Sequence, residues 1–222
     1  MSNPLTQKTS DPATVEIDFI SDIVCPWCAI AFHQLKAASE NTGVDVKISW
    51  QPFQLNPKLP KEGQNLRAHM AEKYGTTLEG SILSRERISA IGAELGFKFD
   101  YFDEMRMYNT FKAHQLVNYA GDYDKSQDVS IKLFEAFFGQ RQDISDIEIL
   151  VKIADSVGLP DDNVRKVLEE ESRAMAVRTC QRYWTDLRVS SVPTVVIRPS
   201  FAVSGAQGVD TYSKILLGAQ RN

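Results

Sequence analysis

Val15-Glu16-Ile17-Asp18-Phe19-Ile20 runs through Ser21-Asp22-Ile23-Val24 into Cys25-Pro26-Trp27-Cys28. The first six residues alternate apolar and polar side chains, the period of a β-strand. Ala29 to Glu40 reads as a helix, with Ile30, Phe32 and Leu35 among its apolar positions. Asn41-Thr42-Gly43 ends it, and Gly43 suits a left-handed C-terminal cap. Val44-Asp45-Val46-Lys47-Ile48-Ser49-Trp50 alternates again as a second strand. Strand, helix and strand in so short a span predict a β-α-β unit with parallel strands. The cysteine pair falls at the first turn of its helix.

A helix start exposes free backbone N–H groups and the positive end of the helix dipole, and both favour thiolate over thiol. The thiolate is the nucleophile of disulfide exchange. Cys25 therefore reads as the attacking thiol. Cys28, one helical turn further on, reads as the thiol that resolves a mixed disulfide. Pro26 occupies a first-turn position where its missing N–H is not needed, and Trp27 offers a large apolar surface beside the sulfur. Two other readings compete. Cys25 and Cys28 could be half of a zinc site completed by Cys180 and His33, or a structural disulfide. The spacing of Cys180 and His33 matches no zinc pattern, and the pair sits in a β-α-β unit, which favours exchange chemistry.

Working outward, Gln51-Pro52-Phe53-Gln54-Leu55-Asn56-Pro57 is a proline-bearing loop, and roughly 63–187 is helical. Ser81 to Leu95 and Thr110 to Gly121 read as helices. Val129, Leu133, Phe134, Phe137 and Phe138 form an apolar stripe. Ser145-Asp146-Ile147-Glu148 reads as a capping box. Asp161 or Asp162 caps a last long helix that runs to about Leu187. The period then turns to β: Thr194–Ile197 and Phe201–Val203 flank Arg198-Pro199-Ser200 as a hairpin. Gly208 to Gly218 is a final helix. The order predicts an α/β chain, a thioredoxin fold with a large α-helical insertion. A tail covers 1–13, the thioredoxin-like part covers 14–58 and 188–222, and the inserted helices cover 59–187, including the helix that returns to the sheet.

Ser191-Val192-Pro193-Thr194 leads directly into a strand. A cis Pro193 would turn the Val192 backbone outward, where it could bond an extended thiol substrate.

The chain has 222 residues, 43% hydrophobic and 24% charged, with a net charge of -4, so a globular protein is expected. No Lys/Arg cluster suggests a nucleic-acid partner, and no apolar run approaches the roughly 20 residues of a membrane span. Three cysteines are too few for a disulfide scaffold. With no apolar h-region near Met1, a cytoplasmic location is expected.

These motifs resemble the DsbA-like thioredoxin superfamily, in its branch of FrnE-like or polyketide-biosynthesis dithiol-disulfide oxidoreductases. The matching residues are Ser21 to Cys28, Trp50 to Pro57, Asn109-Thr110-Phe111-Lys112-Ala113-His114, Val192-Pro193-Thr194 and Ala202-Val203-Ser204-Gly205-Ala206-Gln207. The resemblance implies Cys25 as nucleophile, Cys28 as resolving thiol and a cis Pro193. It also implies a helical lid that carries Asn109 and His114 towards the active site. Ala29-Ile30-Ala31 stands where the family commonly has Tyr-Ile-Gly. A related branch holds 2-hydroxychromene-2-carboxylate isomerases and kappa-class glutathione transferases. There a serine usually occupies the position of Cys25 and orients glutathione, so such an isomerase or transferase is the alternative reading. A non-catalytic chaperone or zinc-binding module is a third.

No bound cofactor or metal is expected, and glutathione is a candidate co-substrate. Ser204, Gly205 and Gln207, read as opening the final helix, would hold its γ-glutamyl carboxylate while Val192 holds the cysteinyl part. The alternative is that Ser204 only caps that helix. The expected partner is a disulfide-containing protein or small molecule, and the chain itself is expected to be a monomer or homodimer. Asp22 reads equally as a turn-former or as a proton acceptor near Cys28. His33 reads as an exposed helical residue, and His69 carries no signal. Cys180 shares a stripe with Ala176, Trp184 and Leu187 and reads as a small buried core residue.

Overall fold

A computed structural model describes residues 14–198 and 201–220. The N-terminal tail assigned to residues 1–13 and the turn residues 199 and 200 lie outside the described residues. Strand β1 (Val15–Ser21), helix α1 (Pro26–Thr42) and strand β2 (Val46–Pro52) form the expected unit. Gly43 closes α1 at φ 67, and its N–H donates to Ser39 O at 2.9 Å. Among the described residues the main sheet has four strands in the order β2-β1-β5-β6, with β5 at Thr194–Ile197 and β6 at Phe201–Ser204. β1 is parallel to β2 and antiparallel to β5, and β5 is antiparallel to β6.

β1 is thus a central strand, and that changes the meaning of its alternation. Phe19 and Ile20 on opposite faces are both fully buried, and Asp18 is buried too. The Asp18 carboxylate accepts from Arg198 Nε and Nη2 at 2.7 Å each and from Gln51 Nε2 at 2.8 Å. A charge on a covered strand needs such partners, because desolvation without them is costly.

The segment between β2 and β5 is mostly helical: α2 (Leu66–Tyr74), α3 (Leu78–Glu94), α4 (Phe111–Ala120), α5 (Ser126–Phe134), α6 (Ile147–Ser156), α7 (Asp161–Glu169) and α8 (Ala174–Asp186). Within it, β3 (Gln64–Asn65) and β4 (Arg106–Met107) pair as a short ribbon. Their two-residue strands are too brief to show a period. A π-helical turn at Glu135–Gly139 follows α5 and buries Phe137 and Phe138. Helix α9 (Val209–Ala219) packs on α1.

Helix α3 starts three residues before the Ser81 read from the sequence, and two further helices differ in how they are capped or broken. The capping box is instead capped by Asp146, which accepts from Glu148 N at 2.9 Å, while Ser145 donates to Asp143. The last long helix is two helices, α7 and α8. Its first part begins after Pro160 as N-cap, and the side chains of 161 and 162 lie outside the described residues. The chain breaks around Glu171, which has φ 50. Glu169-Glu170-Glu171 stands where the dipole of α7 is negative, which opposes continuation. Lys112 Nζ instead donates to the Leu168 carbonyl at 2.6 Å.

Candidate active site

Cys25 is the N-cap of α1, with extended backbone angles, and Pro26 is the first helical residue. The N–H groups of Cys28 and Ala29 donate to the Cys25 carbonyl at 3.0 and 3.4 Å. The Cys25 side chain makes no capping bond. Its thiol points across to the strand entry and donates to Val192 O at 3.7 Å. The Val192–Pro193 peptide bond is cis. Both Cys25 and Cys28 are free thiols. Cys25 is 5% exposed and lines a cavity, whereas Cys28 is completely buried. Burial, then the adjacent Cys25 and the Asp22 charge, push the Cys28 thiol well above the ordinary cysteine range.

Asp22 serves the turn and faces the site. Its carbonyl accepts from Cys25 N at 3.0 Å, fixing the approach to the helix. Its Oδ2 accepts from Leu55 N at 2.8 Å, and its Oδ1 lies 3.3 Å from His114 Nε2. That same nitrogen is 3.0 Å from Phe53 O. A carbonyl can only accept, so Nε2 carries the hydrogen. His114, 3% exposed, therefore ties α4 to the loop after β2 and to the turn before Cys25.

Other expected residues fall elsewhere. Asn109 does not line the Cys25 cavity. Its Oδ1 accepts from Gln54 Nε2 and Phe111 N, and its Nδ2 donates to Pro57 O and Leu59 O, so it fastens the post-β2 loop to the start of α4. Ser204 does not open α9. It ends β6, is exposed, and lies 3.3 Å from the Thr194 hydroxyl. The N-cap of α9 is Gly208, whose N–H is taken by Gln34 Oε1 at 2.9 Å. Gly205, at φ 82, donates to Pro193 O at 2.7 Å, and Gln207 Nε2 donates to Ser204 O at 2.6 Å. These residues brace the hairpin against the proline, and the cavity does not include them.

Cys180 is half-buried and donates to Gln51 Oε1 at 2.8 Å, an oxygen that Trp184 Nε1 also reaches. Ala176 and Leu187 are exposed, so the buried stripe of α8 is Val177 with Trp184. His33 is not an exposed residue but a half-buried one. Its ring packs on Phe97 with centroids 4.8 Å apart, and burial pulls its pKa down. Among the described residues no three His, Cys, Asp or Glu side chains group as a metal site requires.

The cavity before Cys25 has a volume of about 460 Å³. Cys25, Pro26, Trp27 and Val192 form one wall, and α2, α3, Tyr101, Phe137 and Phe138 form the other. Three of its polar residues escaped the sequence reading. His69 is buried, with Nδ1 2.7 Å from Gln64 Oε1 and Nε2 3.1 Å from Asn56 Oδ1, and burial lowers its pKa. Burial chiefly pushes the Tyr101 phenol up, opposed by Arg85 and reinforced by Cys25. Arg85 stands over the Tyr101 ring, 5.5 Å from its centroid. The signal for this wall was the spacing Ser81, Ser84, Arg85, Ile88, one face of a helix.

A thiol pair one turn apart at the first helix of this sheet, beside a cis proline, defines a dithiol protein of thioredoxin fold. The family model for the DSBA-like thioredoxin domain matches residues 16–217, and the chain belongs to that family. It is 28% identical over 211 residues to "Uncharacterized protein YwbO" of Bacillus subtilis (strain 168), covering 94% of this chain and 98% of that protein. The structure of the probable DsbA oxidoreductase SCO1869 from Streptomyces coelicolor is similar with a TM-score of 0.86 and 26% identity, over 94% of this chain and 91% of that one. The cytosolic disulfide reductase DsbM from Pseudomonas aeruginosa, solved with GSH, shares the fold at a TM-score of 0.65 and 18% identity, over 93% of this chain and all 100% of the other.

Proposed function

We propose that this chain is a dithiol–disulfide oxidoreductase in which Cys25 attacks and Cys28 resolves. The observation that carries this reading is the asymmetry of the pair: Cys25 lines a cavity at a helix start, and Cys28 lies buried beneath it. In the reducing direction the Cys25 thiolate attacks a substrate disulfide. A Cys25–substrate S–S bond forms, the original S–S bond breaks, and one thiolate leaves with the electron pair. Cys28 then loses its proton and attacks Cys25 Sγ, which closes the Cys25–Cys28 disulfide and releases the second thiolate. The substrate gains two electrons and the enzyme loses them. Substrates are disulfide-containing small molecules or proteins. Sparse cysteine usage fits work in the cytoplasm, and glutathione, present in the DsbM structure, is the thiol co-substrate that restores the dithiol.

Trapping tests this. Cys28→Ser incubated with a disulfide should accumulate a mixed disulfide on Cys25, seen as added mass and mapped by peptide analysis. Cys25→Ser should form none, and both variants should lose turnover. Alkylation or adduct formation at Cys28 ahead of Cys25 in the reduced protein refutes the roles.

A further inference from the structure

Among the described residues, every permanent charge on the wall of the Cys25 cavity comes from one residue. Arg85 lines it, and no Asp or Glu does. The cavity's other basic side chain, His69, is already engaged on both ring nitrogens, by Gln64 Oε1 and Asn56 Oδ1. Arg85 Nη2 is buried and has no hydrogen-bond partner among the described residues. The nearby carboxylate is already engaged: Asp103 Oδ1 pairs with Arg67 Nη2 at 2.7 Å, and Arg67 and Arg85 repel each other. Two guanidiniums thus share one carboxylate, leaving a positive charge in excess. A buried donor without an acceptor is costly, and the planar guanidinium fork matches a carboxylate in two parallel hydrogen bonds.

The remaining walls are aromatic and aliphatic, with Trp27, Tyr101 and Phe138 among them. A volume of about 460 Å³ suits a small molecule. With Cys25 only 5% exposed, a disulfide must enter this space to reach it. Resting on the dithiol reading above, we propose that the cavity takes a small disulfide whose apolar body carries a carboxylate, and that Arg85 binds that carboxylate while Cys25 attacks the S–S bond. The substrate is the oxidant of this step: the Cys25–substrate bond forms, one aryl or alkyl thiolate departs with the electron pair, and Cys28 closes on Cys25 to release the acid-bearing thiolate.

Single-turnover rates of the reduced protein with two aromatic disulfides test this. One is 5,5′-dithiobis(2-nitrobenzoic acid), which carries carboxylates, and the other is uncharged 4,4′-dithiodipyridine. Each rate is divided by that of N-acetylcysteine with the same reagent. The normalised ratio of acid to neutral rate should exceed one in the wild type and fall about tenfold in Arg85→Gln, as for one charge-assisted bond. Arg85→Lys should recover part of it. Ser84→Asp, which places a carboxylate on the same cavity wall without altering Arg85, should also lower it. Lys36→Gln, a distant change of the same charge, should leave the ratio as it was. If the protein accelerates both reagents but Arg85→Gln and Ser84→Asp leave the ratio unchanged, the Arg85 assignment falls and the dithiol reading stands. If Lys36→Gln lowers the ratio equally, net charge rather than Arg85 is responsible and the proposal is overturned. If neither reagent reacts faster than with N-acetylcysteine, both readings fall. A greater normalised rate on insulin than on the acid disulfide overturns the choice of a small molecule.

Discussion

Two charges near Cys25, the buried Asp22 and the half-buried Arg85, are treated in opposite ways. Below the thiols, both carboxylate oxygens of Asp22 have partners from the chain, Leu55 N and His114 Nε2. Across the cavity, Arg85 Nη2 has none among the described residues. The first arrangement is complete without a ligand and serves to hold the turn that positions Cys25. The second leaves a guanidinium donor unmatched among the described residues, the donor to which the carboxylate of the proposed substrate is assigned. The floor of the site is therefore architecture, and its outer wall, on the proposed Arg85 contact, is recognition.

Stability separates them most strongly. Asp22→Ala leaves the Leu55 N–H without its acceptor and His114 without its carboxylate, a loss of about 1–3 kcal/mol for each buried group left unsatisfied. Asp22→Asn should cost less, since its amide oxygen can still accept from Leu55 N. Arg85→Gln should shift stability by less than about 1 kcal/mol, because Nη2 gives up no intramolecular hydrogen bond. Urea denaturation checks all three. A loss at Arg85 as large as that at Asp22 would erase the distinction between floor and wall.

The buried thiol on the floor gives the next effect. Burial, the largest cause of its raised pKa, persists when Cys25 is engaged in a mixed disulfide. The Cys28 thiolate fraction, and with it the rate of resolution, should rise about tenfold per pH unit and not level off near ~8.5, where an ordinary thiol would. The same shift has a definite sign in stability. Above ~8.5 the unfolded chain ionises Cys28 where the folded one does not, so folding weakens as pH rises. Rapid-quench mass spectrometry of substrate release across pH 6–10 measures the first, and a plateau near ~8.5 would place Cys28 in a wetter setting.

Cys180 belongs to neither region. It bonds Gln51 on the sheet side of α8, away from the cavity. Cys180→Ser should retain disulfide exchange and cost on the order of 1 kcal/mol, read as a modest drop in melting temperature. Loss of exchange with an unchanged melting temperature would make it a third redox thiol.

Part of the site was legible in the chain. Cys25, Pro26, Trp27 and Cys28 were readable because a strand, a cap and a helix are set by neighbours within a few residues. Val192-Pro193 was readable from its place before a strand, together with the resemblance. Asn109 and Ser204 were misplaced for a common reason. Each lies in a segment that the sequence singled out, but which recess a loop residue faces depends on elements far away in sequence. Ser204 looked like a helix cap because four residues of irregular backbone before α9 leave no periodic trace.

The sequence alone determined the β-α-β unit, the place of the two thiols on its helix and the return of the chain to the sheet after a helical stretch. These follow from side-chain period, glycine and proline geometry, and capping, all of which act locally. Tertiary structure decided that Cys28 is sealed while Cys25 opens on a cavity, that Asp22 meets His114, and that Arg85 and Tyr101 stand across from Cys25. Those juxtapositions join segments 60 and more residues apart. They exist because burying the apolar faces of the helices over the sheet brings the segments together, and no local pattern carries that information.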